Sequence, residues 1–246
     1  MRIILTGVTG VAGLGIYRAA LADPSIQRVT LLTRRAVPSW AELPANATEK
    51  TDVILHSDFK TYPDNLAKRL AEHDALIWAL GKSAVGMSKE AYTELTYEYT
   101  MSAARALKNA GAGSPEKPFR FVWISGELAN PEGTSGQMWA NVKGRVEREL
   151  PQLFEGTNIK VHIFRPGYFF PSKEYPQDRM NQRGAFERIV DTVSTPMFSF
   201  FPSFYTPLGD LGRFSVELAK GHWPSQVMYR NAEMRKLVKT LPPLGA

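Results

Sequence analysis

The sequence contains no cysteine, and this absence removes two kinds of chemistry. Disulfide bonds cannot form, and no thiolate is available as a nucleophile or a metal ligand. A chain without disulfides suits a reducing compartment, so we expect a cytoplasmic protein.

Long hydrophobic runs are missing as well. No apolar stretch approaches the length that a membrane-spanning helix requires, so we expect no membrane partner. At the start of the chain, Arg2 precedes a short apolar run that ends in glycines, and no cleavage-like site follows. We therefore expect no signal peptide.

A concentrated basic patch is also absent. The chain has 30 Lys and Arg against 24 Asp and Glu, a net charge of +6, but the basic residues are scattered. We therefore expect no nucleic-acid partner, and we predict no metal site. With 246 residues, 43% of them hydrophobic, residues 1–246 can form one large domain with its own core.

The most informative stretch that is present opens the chain. Ile3 to Leu5 form a short apolar run typical of a central parallel strand, and glycines follow at every third position. Gly7 would make the tight turn, Gly10 would let the backbone approach a pyrophosphate, and Gly13 would let the next helix pack closely. The free N–H groups of that helix favour phosphates. The predicted cofactor contacts here are Gly7, Thr9, Gly10, Val11, Ala12 and Gly13.

An acidic residue is lacking where a second strand, Gln27 to Thr33, ends. In such a fold an acid at this place binds the ribose 2′-hydroxyl of NAD, whereas a base meets the 2′-phosphate of NADP. Arg34 and Arg35 stand there instead, and a guanidinium fork suits a phosphate. The sequence therefore predicts NADP(H) as the cofactor.

Further cofactor contacts are expected at the ends of later strands. Asp58 follows a strand over residues 51–55 and is placed to bond the adenine amino group, with Phe59 beside the base. A turn-capping role is the alternative for Asp58. The predicted strand over residues 75–80 brings Ala79, Leu80 and Gly81 to the path of the cofactor.

Strands alternate with helices along most of the chain. Further strands are predicted at 119–124 and 159–164, and helices at 88–110, 137–153, 180–193, 208–221 and 230–241. This order predicts an α/β fold, a Rossmann-type doubly wound parallel sheet whose ligand site lies at the carboxyl ends of the strands. The apolar stripe of the helix from Ser88 to Ala110 is either core or a homodimer face.

The last part of the chain, roughly residues 168–246, is rich in aromatic residues and proline between 195 and 205. We expect it to form a small capping region that contributes the pocket for a small-molecule substrate. Most of its phenylalanines belong to the core on this interpretation. The predicted pocket residues are Trp139, Phe169, Phe201 and Tyr205.

These features together resemble the short-chain dehydrogenase/reductase family in its atypical or extended forms. The resemblance rests on the glycine turn, the Thr33-Arg34-Arg35 strand end, Ser125, the Lys143-Gly144-x-x-Glu147 helix and Arg165-Pro166-Gly167. It is nearest to Tat-interacting-protein-like members and to fungal proteins described as nucleoside-diphosphate-sugar-epimerase-like. It implies that Pro166 and Gly167 contact the cofactor, that Lys143 holds the nicotinamide ribose, and that Ser125 binds the substrate oxygen.

One catalytic residue of that family is missing. The family places a Tyr four residues before the Lys as general acid or base, but Trp139 stands there. An indole N–H cannot transfer a proton at neutral pH. Four groups are candidates for the lost function: Glu127, whose pKa an apolar cleft would raise; Tyr168, which follows Arg165-Pro166-Gly167; Tyr205; and Lys143 itself.

Three functions remain open on the sequence alone. The first is acid/base chemistry without net redox on a small apolar metabolite: isomerisation, cyclisation, dehydration or ring opening. We favour it narrowly, since Trp139 replaces the acid, and a place in secondary metabolism would suit it. The second is an NADPH-dependent reductase or epimerase with a relocated acid, and the third is a non-enzymatic NADPH-sensing regulator.

Overall fold

The computed structural model describes residues 1–184, 188, 191 and 204–242. Within this part of the chain, seven strands form one parallel sheet in the order β3-β2-β1-β4-β5-β6-β7. The strands are β1 (Arg2–Thr6), β2 (Arg28–Thr33), β3 (Thr51–Leu55), β4 (Ala75–Trp78), β5 (Phe119–Ile124), β6 (Ile159–Arg165) and β7 (Met228–Arg230). The central strands are buried on both faces, which explains why β1 and β4 are apolar without alternation.

Helices cover both faces of the sheet, so the predicted doubly wound fold is confirmed. On one face α1 (Val11–Ala22) packs against α8 (Leu208–Lys220). The other face carries α3 (Asp64–Ala71), α5 (Tyr99–Asn109) and α6 (Met138–Leu153). The remaining helices are the short α2 (Ala47–Lys50), α4 (Lys89–Thr93), α7 (Pro176–Gln182) and α9 (Asn231–Leu237), which runs into a 3₁₀ turn at Val238–Thr240.

The order of strands reverses at β1, which lies between β2 and β4. From β1 the chain builds outward first through β2 and β3 and then, on the other side, through β4 to β7. A crevice opens at the carboxyl ends of the strands where the direction reverses, and this is the expected ligand position in such sheets.

The helix predicted over residues 88–110 is interrupted. A π-helical turn, Glu94–Glu98, separates α4 from α5. The wider turn changes which side chains share a face, so Ala103 and Leu107 are buried while Leu95 and Tyr99 line the crevice. Such π turns are frequent at functional sites. A homodimer contact through this helix stays a prediction.

The C-terminal part joins the main core more fully than a cap would. The sequence prediction missed β7, which pairs with β6, and Phe214, Leu218 and Tyr229 belong to the same buried cluster as β1 and α1. The predicted helix over 180–193 begins within the end of α7, and most of its later residues lie outside the described part of the chain. Phe201, predicted to line the substrate pocket, lies outside the described residues.

Candidate functional site

The turn after β1 has the geometry that its glycines predict. Gly7 has a φ of +74°, and a Cβ there would lie 2.3 Å from the Ala79 carbonyl oxygen. A Cβ on Gly13 would lie 2.0 Å from the Gly7 carbonyl oxygen. Packing of this protein on itself therefore explains Gly7 and Gly13 without any ligand.

Gly10 is different because nothing in the protein requires a glycine there. Its backbone is extended, with φ −90°, and an added Cβ would meet only the Gly7 carbonyl oxygen, at 3.4 Å. Gly10 is the residue before α1, whose first-turn N–H groups lack partners within the helix. The open space before a helix N-terminus fits a pyrophosphate, which needs close backbone approach and N–H donors.

A cleft of about 510 Å³ extends from this turn along the carboxyl ends of β1, β2 and β4. Eight predicted cofactor residues line it: Gly7, Thr9, Gly10, Arg34, Arg35, Phe59, Leu80 and Gly81. The other predicted residues are their neighbours in sequence: Val11, Ala12 and Gly13 follow Gly10, and Ala79 precedes Leu80. The size and shape suit the adenosine and phosphate half of a dinucleotide.

Sequence reasoning missed the wall opposite Arg34. Glu94, Leu95 and Tyr99 of the π-helical turn and of α5 line the cleft. The Tyr99 hydroxyl donates to Glu94 over 3.1 Å, and Lys60 pairs with the same carboxylate at 2.6 Å. A helix interrupted by a π turn has no reliable sequence signal, so these residues could not be assigned to the cleft in advance.

Arg34 and Arg35 are exposed at the rim of the cleft. The hydroxyl of Thr33 donates to the Arg35 carbonyl over 2.8 Å and fixes the backbone as it leaves β2. Neither guanidinium makes an ion pair with a residue that the structure describes. Both charges are therefore available to an anion in the cleft.

The expected role of Asp58 in binding adenine stays a prediction, and its contacts favour the turn-capping alternative. Its carboxylate accepts the Lys60 N–H at 2.9 Å and the Thr61 hydroxyl at 2.8 Å, and it does not line the cleft. These two hydrogen bonds hold the pKa of Asp58 below its usual value. Asp58 caps its own turn, which was the alternative, whereas the neighbouring Phe59 does reach the cleft.

Ser125 does not present its hydroxyl to a substrate, which corrects the role implied by the family resemblance. The hydroxyl is buried and donates to the Glu147 carboxylate over 2.6 Å. Arg165 donates to the same carboxylate through Nε at 2.8 Å and through a second nitrogen. Ser125, Glu147 and Arg165 form a buried network that joins the ends of β5 and β6 to α6.

Glu127 is not a free general acid either. Its carboxylate accepts from Arg230 Nε at 2.9 Å, from a second Arg230 nitrogen at 2.7 Å and from the Asn231 N–H at 2.9 Å. These three donors commit the carboxylate to Arg230 and Asn231. Glu127 anchors β7 and α9 to the end of β5.

Lys143 lies on α6 and reaches the residue that follows β5. Its ammonium group donates to the Ser125 carbonyl oxygen over 2.7 Å. The residue as a whole is partly exposed, but the protein encloses its ammonium group. This desolvation lowers the pKa of Lys143 to about 8, although the negative charge of Glu147 acts to raise it. A lysine of this kind exchanges protons near neutral pH.

Tyr168 remains a candidate acid. Its hydroxyl donates to Asp191 over 2.5 Å, and Asp191 also pairs with Arg183 at 3.2 Å. The side chain is 38% exposed, so a ligand can reach it. Its backbone forms an isolated bridge with Tyr205. The bridge places Tyr168 beside Tyr205 of the C-terminal part.

The other predicted pocket residues have mixed surroundings. Trp139 and Phe169 are partly buried, and each packs against one of the two main apolar clusters. The Tyr205 ring lies 5.6 Å from that of Phe170, and burial raises the pKa of its hydroxyl.

The Arg165-Pro166-Gly167 turn is held from two sides. The Pro166 carbonyl accepts from the Glu127 N–H at 3.0 Å. A Cβ on Gly167 would lie 2.4 Å from the Phe204 carbonyl oxygen. Packing thus explains Gly167, and a cofactor contact at either residue stays a prediction.

Among the described residues, no group of three or more His, Asp and Glu side chains is placed to hold a metal ion. None of the helices that the structure describes is long and apolar enough to cross a membrane.

No family model matches the sequence. Curated relatives are fungal. The leucinostatins biosynthesis cluster protein T of Purpureocillium lilacinum is 29% identical over 167 residues, which are 68% of this chain and 57% of that protein. Protein FMP52-1, mitochondrial, of Scheffersomyces stipitis is 25% identical over 98% of this chain and 100% of its own length. The chain thus spans little more than half of the Purpureocillium protein.

These relatives overturn the expected cellular location. FMP52 proteins of Scheffersomyces stipitis, Candida albicans and Saccharomyces cerevisiae all carry the word mitochondrial in their names. The cytoplasmic assignment is therefore wrong. The lack of cysteine that suggested it excludes only disulfide-dependent folding, which does not separate one reducing compartment from another.

Solved structures with this fold include an NADP complex and a nucleotide-sugar epimerase. The Pseudomonas aeruginosa RhlG/NADP active-site complex superimposes with a TM-score of 0.64, 20% identity, and 95% and 96% coverage of the two chains. UDP-N-acetylglucosamine 4-epimerase from Methanobrevibacter ruminantium gives a TM-score of 0.66 at 13% identity, covering 97% of this chain and 80% of its own. The chain therefore has the fold shared by short-chain dehydrogenases and nucleotide-sugar epimerases.

Proposed function

We propose that the protein binds NADP(H) across the carboxyl ends of its strands and performs acid/base chemistry without net redox on a small molecule. Binding is supported by the open space at Gly10, the first-turn amides of α1 and the two unpaired guanidinium groups at the cleft rim. A dinucleotide with a 2′-phosphate satisfies all three. The known NADP complex of a protein with this fold agrees.

The residues that would hold the cofactor divide along the cleft. Gly10 and the start of α1 would receive the pyrophosphate and Arg34 and Arg35 the 2′-phosphate, whereas Lys143 lies outside this cleft, beside the residue that follows β5. When bound, NADP(H) supplies hydride chemistry or a shaped pocket wall. The chain's own residues decide which of these is used.

One observation carries the non-redox proposal: the side chains beside Lys143 cannot deliver a proton to a carbonyl oxygen. Trp139 occupies the position four residues earlier on α6, and its indole N–H is not acidic at neutral pH. The Ser125 hydroxyl is committed to Glu147. A positioned acid contributes about 10²- to 10⁴-fold to such reactions, so an ordinary carbonyl reduction here would be slow by that factor.

Tyr168 supports the second candidate, an NADPH-dependent reductase or epimerase with a relocated acid. Its half-exposed phenol and its hydrogen bond to Asp191 are those of a group that could exchange a proton. Isolation of the protein with its bound ligand, followed by absorbance at the NADPH band, separates the candidates. Stoichiometric NADPH oxidation by the isolated ligand, lost in Tyr168→Phe, would favour this candidate and reject the first.

The cofactor site is tested by a single methyl group. Gly10→Ala places a Cβ in open space 3.4 Å from the Gly7 carbonyl, so the fold tolerates it while the pyrophosphate does not. We expect NADPH affinity to fall by roughly tenfold or more, a loss of about 1.4 kcal/mol, in calorimetric titration. Gly209→Ala adds the same methyl at an exposed position outside the cleft and serves as the control. Equal affinity of the two variants would contradict the site.

A further inference from the structure

Gly126, which has no side chain, lies beside Lys143. An added Cβ on Gly126 would lie 3.4 Å from Lys143 Nζ, with no other contact except the same side chain. Ser125, the neighbour, points its hydroxyl to the opposite side, toward Glu147. The absent side chain therefore leaves a gap bordered by the lysine amine, large enough for a polar atom of a ligand.

The backbone of Gly126 supplies a hydrogen-bond donor to the same place. The N–H groups of Ser125 and Glu127 both donate toward β6, to Phe164 at 2.7 Å and to Pro166 at 3.0 Å. Because both neighbouring N–H groups donate toward β6, the N–H of Gly126 is directed away from β6. Within the part of the chain that the structure describes, it has no acceptor.

We propose that Lys143 is itself the proton-transfer group and that the Gly126 N–H binds the substrate's carbonyl oxygen. The substrate class is a small ketone, ester or thioester with a hydrogen on the carbon next to the carbonyl. This inference rests on the proposed function and names the chemistry of the same site. It assigns to Lys143 the role that Trp139 cannot fill.

The step balances without an oxidant or reductant. The neutral amine of Lys143 takes the proton from the carbon beside the carbonyl, and the C–H electron pair forms a C=C bond. The carbonyl π pair moves to oxygen, and the Gly126 N–H stabilises the resulting enolate. The Lys143 ammonium then returns a proton to the same carbon, which is seen as hydrogen exchange, or to a conjugated carbon of an unsaturated substrate, which gives a double-bond shift.

The charges around Lys143 permit this. Glu147 on α6 is held by Arg165 of β6, so its charge is largely balanced, and just after β5 the Ser125 carbonyl accepts from the amine. Enclosure lowers the pKa of Lys143 to about 8, so the neutral base and the ammonium acid are both populated near pH 8.

The experiment follows exchange of hydrogen for deuterium in cyclohexanone by proton NMR, in D₂O, with NADP⁺-saturated protein and a non-amine buffer. We expect acceleration over the protein-free rate that increases with pH to a plateau, with a midpoint near 8. Lys143→Arg keeps the positive charge and a donor for the Ser125 carbonyl but has no neutral form. The acceleration by the Lys143→Arg variant should be roughly a hundredfold smaller.

Lys160→Arg, at an exposed position on β6, is the matched control and should exchange as the unaltered protein does. Calorimetric titration of each variant with NADP⁺ is read separately, so a failure to bind cofactor rejects the proposed function and not this inference. With cofactor bound, no acceleration, or equal acceleration in Lys143→Arg, overturns the inference. A second readout is acetylation of Lys143 followed by mass spectrometry, where a midpoint above pH 10 would overturn it as well.

Discussion

The carboxylate of Glu127 connects the end of β5 to the start of α9. It is nearly buried and accepts three hydrogen bonds, from Arg230 and from the Asn231 backbone. Asn231 in turn bonds to Thr206 over 2.6 Å, and Thr206 accepts from the Gly167 N–H at 2.8 Å. One carboxylate thus supports the loops on the far side of the site.

Glu127→Gln should therefore affect stability before chemistry. The amide keeps one acceptor but presents an NH₂ group to the donors, and we expect a loss of about 1–3 kcal/mol in the free energy of unfolding. Urea denaturation measures this, and NADPH affinity should stay within a factor of three. Unchanged stability with abolished turnover would restore Glu127 as a catalytic acid.

Lys143 should leave a signature in the pH dependence of stability. Its pKa is about 8 in the folded protein and about 10.4 in the unfolded chain. Between these values the unfolded chain binds more protons, so the contribution of Lys143 to the unfolding free energy becomes more favourable as pH rises from 8 to 10.4. Below pH 8 the lysine is charged in both states and its burial opposes folding.

The measurement compares Lys143→Met with the unaltered protein in urea at pH 7.5 and pH 9.5. The difference in unfolding free energy, unaltered minus variant, should be larger at pH 9.5. A difference that is constant with pH would mean that burial does not shift the pKa of Lys143.

At the scale of elements, the contact between α1 and α8 ties the phosphate-binding helix to the C-terminal part. A Cβ on Gly212 would lie 2.7 Å from the Gly15 carbonyl oxygen and 3.1 Å from Ala19 Cβ. The two helices are therefore packed backbone to backbone, which only glycine permits.

Gly212→Ala should force these helices apart. Overpacking of this kind costs about 1–3 kcal/mol, visible as a lower midpoint in thermal or urea unfolding. Gly209→Ala, one turn earlier on the exposed side of α8, meets no atom within 4 Å and should be neutral or slightly stabilising. If Gly212→Ala were as stable as Gly209→Ala, the close packing would be contradicted.

Some elements were readable from sequence because local patterns determine them. The bounds of β3 and β5 were predicted as observed, and β6 ends within one residue of its predicted end. The π turn at Glu94–Glu98 and the three-residue β7 were missed. A π turn depends on one added residue in a helix, and β7 forms only because β6 offers it a partner.

At the scale of the whole molecule, some site residues could also be predicted from the sequence and others could not. The glycine turn, Arg34 and Arg35 gather at one cleft because parallel strands end at one edge of the sheet, which the alternation of strands and helices already implies. The partners of Ser125 and Glu127 come from tertiary contacts up to 104 residues away along the chain, and no local pattern specifies them. Their roles could be assigned only from the structure.

The central claim, that this cleft is an NADP(H) site, is tested most directly by calorimetric titration with NADPH and NADH. The Arg34→Ala/Arg35→Ala double variant is titrated beside the unaltered protein. Loss of two charge-assisted contacts to the 2′-phosphate should weaken NADPH binding by roughly tenfold to a hundredfold. NADH binding should change little, so the preference for NADPH disappears in the variant. Equal affinity of the unaltered protein for NADPH and NADH, or no binding of either, would contradict the account.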